Sequence, residues 1–290
     1  MENEITVIFV SFHSGHIIEK SIKTIDKKIK IIVVENSKDL AFKSKLENKY
    51  PNIQVIIPDE NLGNGAGINQ GLKNTKTKYA FYLDVDTELY SDTIKNLYNA
   101  AKQIKNFSIL APKINNFEYK NDCYLKPANN SEYSSMRFVT GCALFFEVKL
   151  FNEIDFFDEK IFLYYEENDF YERCLKKEKP IYLIESSKID HKGNASVDEV
   201  YKDEIEINRN WHLMWSSYYF HRKHFGIIVA FRKVLPKLFS AIFNFIFFLA
   251  INNRKKRNIY YARYDGIINS ILGKNSWFRP KLTKKKIKNS

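Results

Sequence analysis

The sequence is poor in the residues that build disulfide frameworks, fibrous repeats and flexible linkers. Its 290 residues include only 3 cysteines, 7 prolines and 10 glycines. Cys123, Cys142 and Cys174 have neither paired nor zinc-finger spacing, which favours unpaired thiols in a reducing compartment. The remaining composition, with 44% hydrophobic and 15% aromatic residues, is typical of a globular chain that has a substantial core.

The first residues lack the pattern of an export signal. A signal peptide begins with basic residues, but this chain carries Glu2 and Glu4 there and then enters an apolar run. We therefore expect no export signal, and we expect the protein in the cytoplasm.

Acidic residues are almost absent from the last quarter of the chain. From residue 222 to the C terminus, 17 lysines and arginines face one acid, Asp265, so this segment carries a charge of +16. The whole chain carries +12, which leaves −4 for residues 1–221. A mildly acidic body with a strongly basic tail predicts an anionic partner for the tail, either a membrane or a nucleic acid.

Strand and helix signals alternate through the first half of the chain. Near-continuous apolar runs predict buried strands at 5–12, 29–34, 53–57 and 79–83, with helices between them and after the last. Repeated β-α-β units predict an α/β fold, a mostly parallel sheet flanked by helices on both faces. Beyond it we predict an irregular loop with a short strand at 107–137, a strand at 138–148 broken by Gly141, a helix within 159–177 and a further strand at 180–184.

Two carboxylates follow the fourth predicted strand. Asp84 and Asp86 alternate about Val85, so both point the same way if the strand geometry continues there. Ligands bind beyond the carboxyl ends of the strands in such sheets, and paired carboxylates suit Mg²⁺ or Mn²⁺ held together with substrate phosphates. An isolated pair of this kind is more often a solvated acidic turn or a helix cap.

A glycine-rich stretch, residues 61–71, follows the third predicted strand. Its four glycines permit tight turns and a close approach of the backbone to a ligand. It lacks the Gly-Lys-Ser/Thr of a P-loop, and Ile68 stands in place of the third glycine of the dinucleotide fingerprint. An ordinary surface turn is the alternative interpretation.

Three acids, Glu166, Glu167 and Asp169, lie at the start of a predicted helix. They are explained either by favourable interaction with the helix dipole or by a carboxylate base whose pKa its neighbours raise. His191 lies just beyond a short apolar stretch that follows the predicted strand at 180–184. A histidine on its own is more often packed or surface-exposed than a metal ligand.

In their order along the chain, these features resemble the family 2 inverting glycosyltransferases of the GT-A fold. The likeness is greatest to the rhamnosyltransferase-like members that build bacterial cell-surface polysaccharides. It covers about residues 4–225 and implies a GT-A domain at 1–225, followed by a basic, apolar helical tail at 226–290. The motifs that carry it are Ser11, Glu35, the 61–71 segment, Asp84-Val85-Asp86, Gly141, Glu166-Glu167 and His191.

Three motifs depart from the usual family pattern. Val10-Ser11-Phe12-His13 replaces Val-Ser-Tyr-Asn, and Val34-Glu35-Asn36 replaces Val-Asp-Asn. Glu166-Glu167-Asn168-Asp169 replaces Glu-Asp-x-Asp. Each change keeps an acid or a plausible packing role.

The resemblance implies a binding site for a nucleoside-diphosphate sugar. Ser11, Glu35 and Asn36 would line the pocket for the base and ribose. The loop beside the nucleotide would be shaped by Asn61, Gly63 and Asn69. Asp84 would contact the ribose or the donor sugar.

The resemblance also implies a metal-assisted reaction on an acceptor hydroxyl. Asp86 and His191 would bind a divalent metal, Mn²⁺ or Mg²⁺. Glu167 would be the general base, with Glu166 beside it near the acceptor, while Asp169 and Arg173 would support the helix. The acceptor would be a carbohydrate or a lipid-linked molecule.

The tail predicts attachment to a membrane surface. Residues 234–251 are mostly apolar but lie at the lower edge of spanning length, with Pro236 and Lys237 near their start. The basic flanks favour an interfacial or partly inserted segment on anionic lipids, at the cytoplasmic face of the inner membrane. A soluble helical subdomain, an oligomer interface and a true span are the alternatives.

Other functional classes remain open at this level. A catalytically silent GT-A-like scaffold at the membrane would keep the fold and use the tail. A nucleotidyltransferase would also pair acids at a strand end, but residues 11–17 offer one glycine and no lysine or arginine for a triphosphate. Nucleic-acid binding would rest on the tail alone, with no zinc-finger or helix-turn-helix pattern, and it is not favoured.

Overall fold

The computed structural model describes residues 1–116, 123–126, 132–193, 198–280 and 282. The chain divides into two compact units. The first comprises Met1–Phe157 and Phe170–Val197, and the second comprises Asp158–Asp169 and Asp198–Ser290. The domain boundary predicted between residues 225 and 226 stays a prediction.

The described part of the first unit contains a 10-stranded mixed sheet. Its strands are β1 (Ile5–Ser11), β2 (Lys30–Glu35), β3 (Ile53–Ile56), β4 (Tyr79–Leu83), β5 (Thr87–Leu89), β6 (Ile109–Ile114), β7 (Cys123–Lys126), β8 (Tyr133–Phe138), β9 (Ala143–Glu147) and β10 (Ile181–His191). Their order is β3-β2-β1-β4-β9-β6-β10-β8-β7, and β5 pairs with β10. Strands β3, β2, β1 and β4 are parallel, whereas β9 is antiparallel to both β4 and β6.

Helices flank this sheet and connect its strands. They are α1 (Ile18–Ile22), α2 (Leu40–Lys49), α3 (Gly65–Asn74), α4 (Thr93–Gln103), α5 (Phe151–Ile154) and α6 (Glu166–Lys176). Strand β1 is buried on both faces: Val7 and Phe9 pack into one apolar cluster, and Ile8 packs into the other. The predicted α/β fold with helices around the sheet is confirmed.

Two local predictions were wrong. The polar segment at 15–26 predicts a helix of about that length, but the first helix covers only Ile18–Ile22. The segment 107–137, predicted to be irregular with one short strand, contains β6, β7 and most of β8. Pro112 and Lys113 interrupt the apolar pattern of β6, but pairing with β10 supplies the backbone hydrogen bonds that hold it in the sheet.

The second unit is built mainly on two helices, α7 (Lys202–Ala250) and α8 (Arg254–Ile271). Gly226, with φ 84° and ψ 172°, interrupts the helical conformation of α7. Met214, Tyr218 and Val234 of α7 share a buried cluster with Ile267 of α8. A Cβ atom on Gly266 would lie 2.3 Å from the carbonyl oxygen of Trp211, so only glycine allows this close approach of the helices.

The predicted apolar segment at 234–251 is part of α7. Among the described helices, α7 is long and apolar enough to cross a membrane by length and composition, and most of its apolar window is not buried. The predicted C-terminal helical, apolar segment is confirmed.

Candidate functional site

Three potential metal ligands meet at the edge of the first unit's sheet. Asp84 follows β4, Asp86 precedes β5, and His191 ends β10. Because β5 and β10 are antiparallel neighbours with Thr87 opposite His191, the histidine lies beside Asp86. His191 Nε2 is 3.2 Å from Asp86 Oδ1 and 3.6 Å from Asp84 Oδ2. One ligand atom from each residue lies within 4.8 Å of the others.

These donors fit a divalent cation. Two carboxylates and an imidazole form a mixed oxygen and nitrogen set that suits Mn²⁺, while Mg²⁺ uses the carboxylates. Asp86 and His191 are buried, and Asp84 is one-third exposed, so the cluster is open on one side to a substrate. The hydroxyl of Tyr82 donates a hydrogen bond of 2.6 Å to Asp84 Oδ1, which orients this carboxylate as supporting partners of metal ligands do.

The protonation of His191 is tied to the two aspartates. Burial by itself lowers the pKa of His191, but the hydrogen bond with Asp86 and the charges of Asp84 and Asp86 outweigh it and raise the pKa above its ordinary value. A metal ion would compete with this proton, since an imidazole binds a metal in its neutral form. Asn116 fixes the backbone of His191, accepting from its N–H at 2.9 Å and donating to its carbonyl at 3.1 Å.

Five of the predicted nucleotide-binding residues lie together at the carboxyl ends of β1 and β2. Ser11 and Glu35 are register partners and are buried. The N–H of Asn36 donates to the carbonyl of Ser11 at 2.8 Å, and its side-chain amide donates to Gly63 O at 3.0 Å. Asn61 Oδ1 accepts from the N–H of Gly63 at 3.0 Å, and the φ of 79° at Gly63 favours glycine there.

Glu35, the last residue of β2, is the buried carboxyl of this group. Burial raises its pKa, and hydrogen bonds from the hydroxyl and the N–H of Ser37 oppose the rise. An ionised carboxylate only accepts hydrogen bonds, whereas a protonated carboxyl can also donate one.

The other predicted loop residue, Asn69, has a packing role in α3. It is fully buried, its side-chain amide donates to Phe157 O at 2.9 Å, and its Oδ1 accepts from Phe157 N at 2.9 Å. The last two glycines of the segment also serve packing. A Cβ on Gly67 would lie 2.8 Å from Val10, and one on Gly71 would lie 2.4 Å from Ile8, so glycine lets α3 pack closely on β1.

Glu166 and Glu167 open α6 and belong to the second unit. Glu166 is buried and Glu167 is half-buried. Tyr164 and Tyr165, just before them, have φ values of 62° and 70°, a conformation that tyrosine rarely adopts. Burial raises the pKa of Tyr164, and the charges of Glu166 and Glu167 add to the rise although Arg209 opposes it.

Hydrogen bonds within the second unit hold this strained entry to the helix. Ser216 Oγ donates to Leu163 O at 2.9 Å. Asp169, fully buried, accepts at 2.7 Å from His224 Nε2 and at 2.6 Å from Lys223 Nζ. Backbone strain of this kind clusters at functional sites.

Arg173, which was also expected to support α6, contacts the segment before it in the chain. Within the first unit, its guanidinium donates to the backbone carbonyls of Ile154 and Phe156 at 2.5 and 2.9 Å. The sequence pattern gave no signal for Tyr82, Asn116 or the two strained tyrosines, because their roles depend on distant partners.

Known proteins resemble this chain in sequence and in fold. The family model "Glycosyl transferase family 2" matches residues 6–155, just over half of the chain. An uncharacterized glycosyltransferase of Rickettsia bellii is 30% identical over 148 residues, which cover 47% of this chain and 21% of that protein. The chain therefore spans about a fifth of the length of this relative.

Two further proteins match over most of their length. The low-salt glycan biosynthesis hexosyltransferase Agl10 of Haloferax volcanii is 23% identical over 219 residues, 69% of this chain and 70% of Agl10. The mannosyltransferase PcManGT from Pyrobaculum calidifontis, solved with GDP-Man and Mn²⁺, superimposes with a TM-score of 0.59 at 12% identity, over 94% of this chain and 88% of PcManGT. The fold agrees with the predicted GT-A fold, whereas rhamnosyl specificity stays a prediction. By the match over half its length, this chain belongs to glycosyl transferase family 2.

Proposed function

We propose that this chain is an inverting glycosyltransferase that moves a sugar, of hexosyl type, from a nucleoside diphosphate to an acceptor hydroxyl in cell-surface polysaccharide or other glycan biosynthesis. The observation that carries the proposal is the Asp84–Asp86–His191 cluster at the carboxyl edge of the sheet. Ligands of α/β sheets bind at that edge.

The donor would bind in the first unit. The group formed by Ser11, Glu35, Asn36, Asn61 and Gly63 offers buried polar atoms at adjacent strand ends for a base and a ribose. Asn69 would act from α3, by fixing the segment near Phe157. The GDP-Man bound by PcManGT and the hexosyltransferase name of Agl10 support a nucleotide-hexose donor.

Asp86 and His191 would hold the divalent cation, and Asp84 would contact the ribose or the donor sugar. Bound there, Mn²⁺ or Mg²⁺ would offset the negative charge that develops on the departing diphosphate. The Mn²⁺ bound by PcManGT supports this role for the site.

Glu167 would act as the general base. An acceptor hydroxyl is a poor nucleophile at neutral pH, so a carboxylate must take its proton as the new C–O bond forms. Attack opposite the leaving group inverts the anomeric centre, and no second carboxylate is needed as a nucleophile. Glu166 would lie beside the acceptor, and Asp169 would keep the start of α6 in position.

The second unit would bring the enzyme to an anionic membrane surface, at the cytoplasmic face of the inner membrane. Residues 207–264 contain 11 lysines and arginines and no acid. Because like charges repel, two copies of this segment are not expected to pair with each other. Six apolar side chains of α7, which we name the apolar stripe, are exposed: Ile228, Leu235, Phe239, Ile242, Phe243 and Ile246. A basic helix with such a face suits an interfacial segment and a lipid-linked or carbohydrate acceptor.

A thermal-shift screen tests donor binding without knowledge of the acceptor. Nucleoside diphosphates and nucleotide sugars are added with and without Mn²⁺, because a ligand of the folded state raises its stability by mass action. We expect metal-dependent stabilisation by one nucleotide series, lost in Asp86→Ala and kept in the exposed control Asp59→Ala. Stabilisation that Asp86→Ala retains in full would overturn the assigned metal site.

A further inference from the structure

Three basic side chains of the second unit lie beside the packing contact between the second part of α7 and α8. Lys233 and Lys237 lie one helical turn apart on α7, and Arg263 lies on α8. Val234, beside Lys233, packs in the same buried cluster as Ile267, one turn beyond Arg263. Burial lowers the pKa of Lys237, and the positive charges of Arg263 and Lys233 lower it further.

These charges have no counter-charge in the described part of the chain. None of the three side chains forms an ion pair with a carboxylate there. Arg263 Nε is buried and has no hydrogen-bond partner among the described residues. Burial also lowers the pKa of His221, with Lys233 and Lys237 adding to the effect. Lys237 and Arg263 are half-buried, whereas Lys233 is exposed. Like charges beside partly buried cations destabilise the fold, and an anion there would relieve that cost.

Hydroxyl groups complete the surroundings of Lys237. Its ammonium donates to Ser217 Oγ at 3.0 Å, and the hydroxyl of Tyr165 donates to the same oxygen at 3.3 Å. Ser217 is buried, and its oxygen accepts both of these hydrogen bonds. Ammonium, guanidinium and hydroxyl donors are the groups that bind phosphate oxygens in proteins.

We propose that Lys233, Lys237 and Arg263, with the hydroxyl of Ser217, bind a phosphate or diphosphate group carried by the acceptor substrate. Tyr165, which contacts Ser217, is two residues before Glu167, so the anion site adjoins the segment that carries the proposed base. The anion site stands on its own contacts, and only its assignment to the acceptor rests on the proposed function. The apolar stripe on the same helix makes a lipid the expected carrier of the phosphate.

Calorimetric titration of the full chain with inorganic pyrophosphate tests the site. The buffer contains EDTA and no divalent metal, so that the Asp84–Asp86–His191 cluster does not contribute. Arg263→Gln and Lys237→Gln are compared with the exposed control Arg254→Gln, which removes the same charge from the same helix as Arg263→Gln. We expect wild type and Arg254→Gln to bind alike, and the two site variants to bind about tenfold more weakly or worse, as the loss of a charge-assisted hydrogen bond implies.

Sedimentation with vesicles identifies the source of the phosphate. Vesicles of phosphatidylcholine alone are compared with vesicles that also contain phosphatidylglycerol. If pyrophosphate does not bind, but wild type and Arg254→Gln bind the anionic vesicles more tightly than Arg263→Gln and Lys237→Gln do, the site is supported with a lipid headgroup as its ligand. Equal weakening by Arg254→Gln and Arg263→Gln in both assays would overturn it, since diffuse charge would then explain the binding.

Nucleotide binding separates this inference from the proposed function. Arg263→Gln should keep the metal-dependent stabilisation by nucleoside diphosphates, which also shows that the variant is folded. If wild type lacks that stabilisation while the pyrophosphate ranking holds, the glycosyltransferase proposal fails and the anion site stands. If the stabilisation is present and no variant affects pyrophosphate or vesicle binding, the anion site fails alone.

Discussion

Replacing Asp169 by asparagine should destabilise the second unit and misplace the start of α6. Asp169 is fully buried and accepts from His224 and Lys223, whose side-chain nitrogens lie 2.7 and 2.6 Å from the same carboxylate oxygen. His224 is itself nearly inaccessible, with 2% of its side chain exposed. Removing one partner of a buried pair leaves the other charge or polar group uncompensated, which costs about 3–5 kcal/mol. Lys223 retains Asp158 as a second partner at 2.7 Å, so we expect the lower end, about 3 kcal/mol.

Urea unfolding followed by circular dichroism measures this loss. The exposed control Asp59→Asn removes one carboxylate without a buried partner and should change the free energy of unfolding by less than about 0.5 kcal/mol. A loss below about 1 kcal/mol in Asp169→Asn would refute the reasoning, because it would place this carboxylate among weak surface pairs. Sugar transfer should fall more than donor binding, since Glu167 lies on the same helical turn.

Three further outcomes follow from particular contacts. The raised pKa of Glu35 means that the folded state holds this proton to higher pH than the unfolded chain does. The free energy of unfolding should therefore fall as pH rises from about 4.3 through the raised pKa. Urea titrations at several pH values should show that Glu35→Gln gains stability relative to wild type across that window. Gly71→Ala should lower thermal stability, because the 2.4 Å approach to Ile8 costs more, about 1–3 kcal/mol, than the ~1 kcal/mol gained in helix propensity; an unchanged Tm would contradict this packing. Phe243→Ser should leave folding intact and weaken binding to anionic vesicles about tenfold or more, since the 69% exposed ring would otherwise enter the lipid; equal vesicle binding would remove the apolar stripe from the membrane surface.

The sequence predicted the first four strands and the residues at their ends because three of them, β1, β2 and β4, are buried on both faces. Continuous apolar runs mark such strands directly, and parallel strands bring their carboxyl ends to one edge. Ser11 and Glu35 are therefore neighbours as expected, and Asp84 and Asp86 lie together after β4. The approach of His191 to this edge was expected only from the family resemblance.

The remaining features depend on contacts between distant segments. Strand β6 has a short apolar pattern, and only its neighbours in the sheet make it a strand. The left-handed conformations of Tyr164 and Tyr165 run against the preference of tyrosine, so local propensity predicts the opposite. Lys237 lies in the apolar part of α7 and Arg263 lies in the polar helix α8, and neither belongs to a recognisable sequence motif. Only the packing of α7 against α8 brings their charges near each other.

Transfer of labelled sugar tests the proposed reaction most directly. The donor identified by thermal shift is incubated with Mn²⁺ and membranes of the source organism, and incorporation of label is compared for wild type, Glu167→Gln and the exposed control Glu60→Gln. We predict that Glu167→Gln binds the donor as wild type does but transfers sugar about 10²–10⁴-fold more slowly, the usual contribution of a general base, while Glu60→Gln is unaffected. Near-normal transfer by Glu167→Gln would contradict the assigned base, and no transfer by wild type that binds donor and metal would contradict the proposed enzyme.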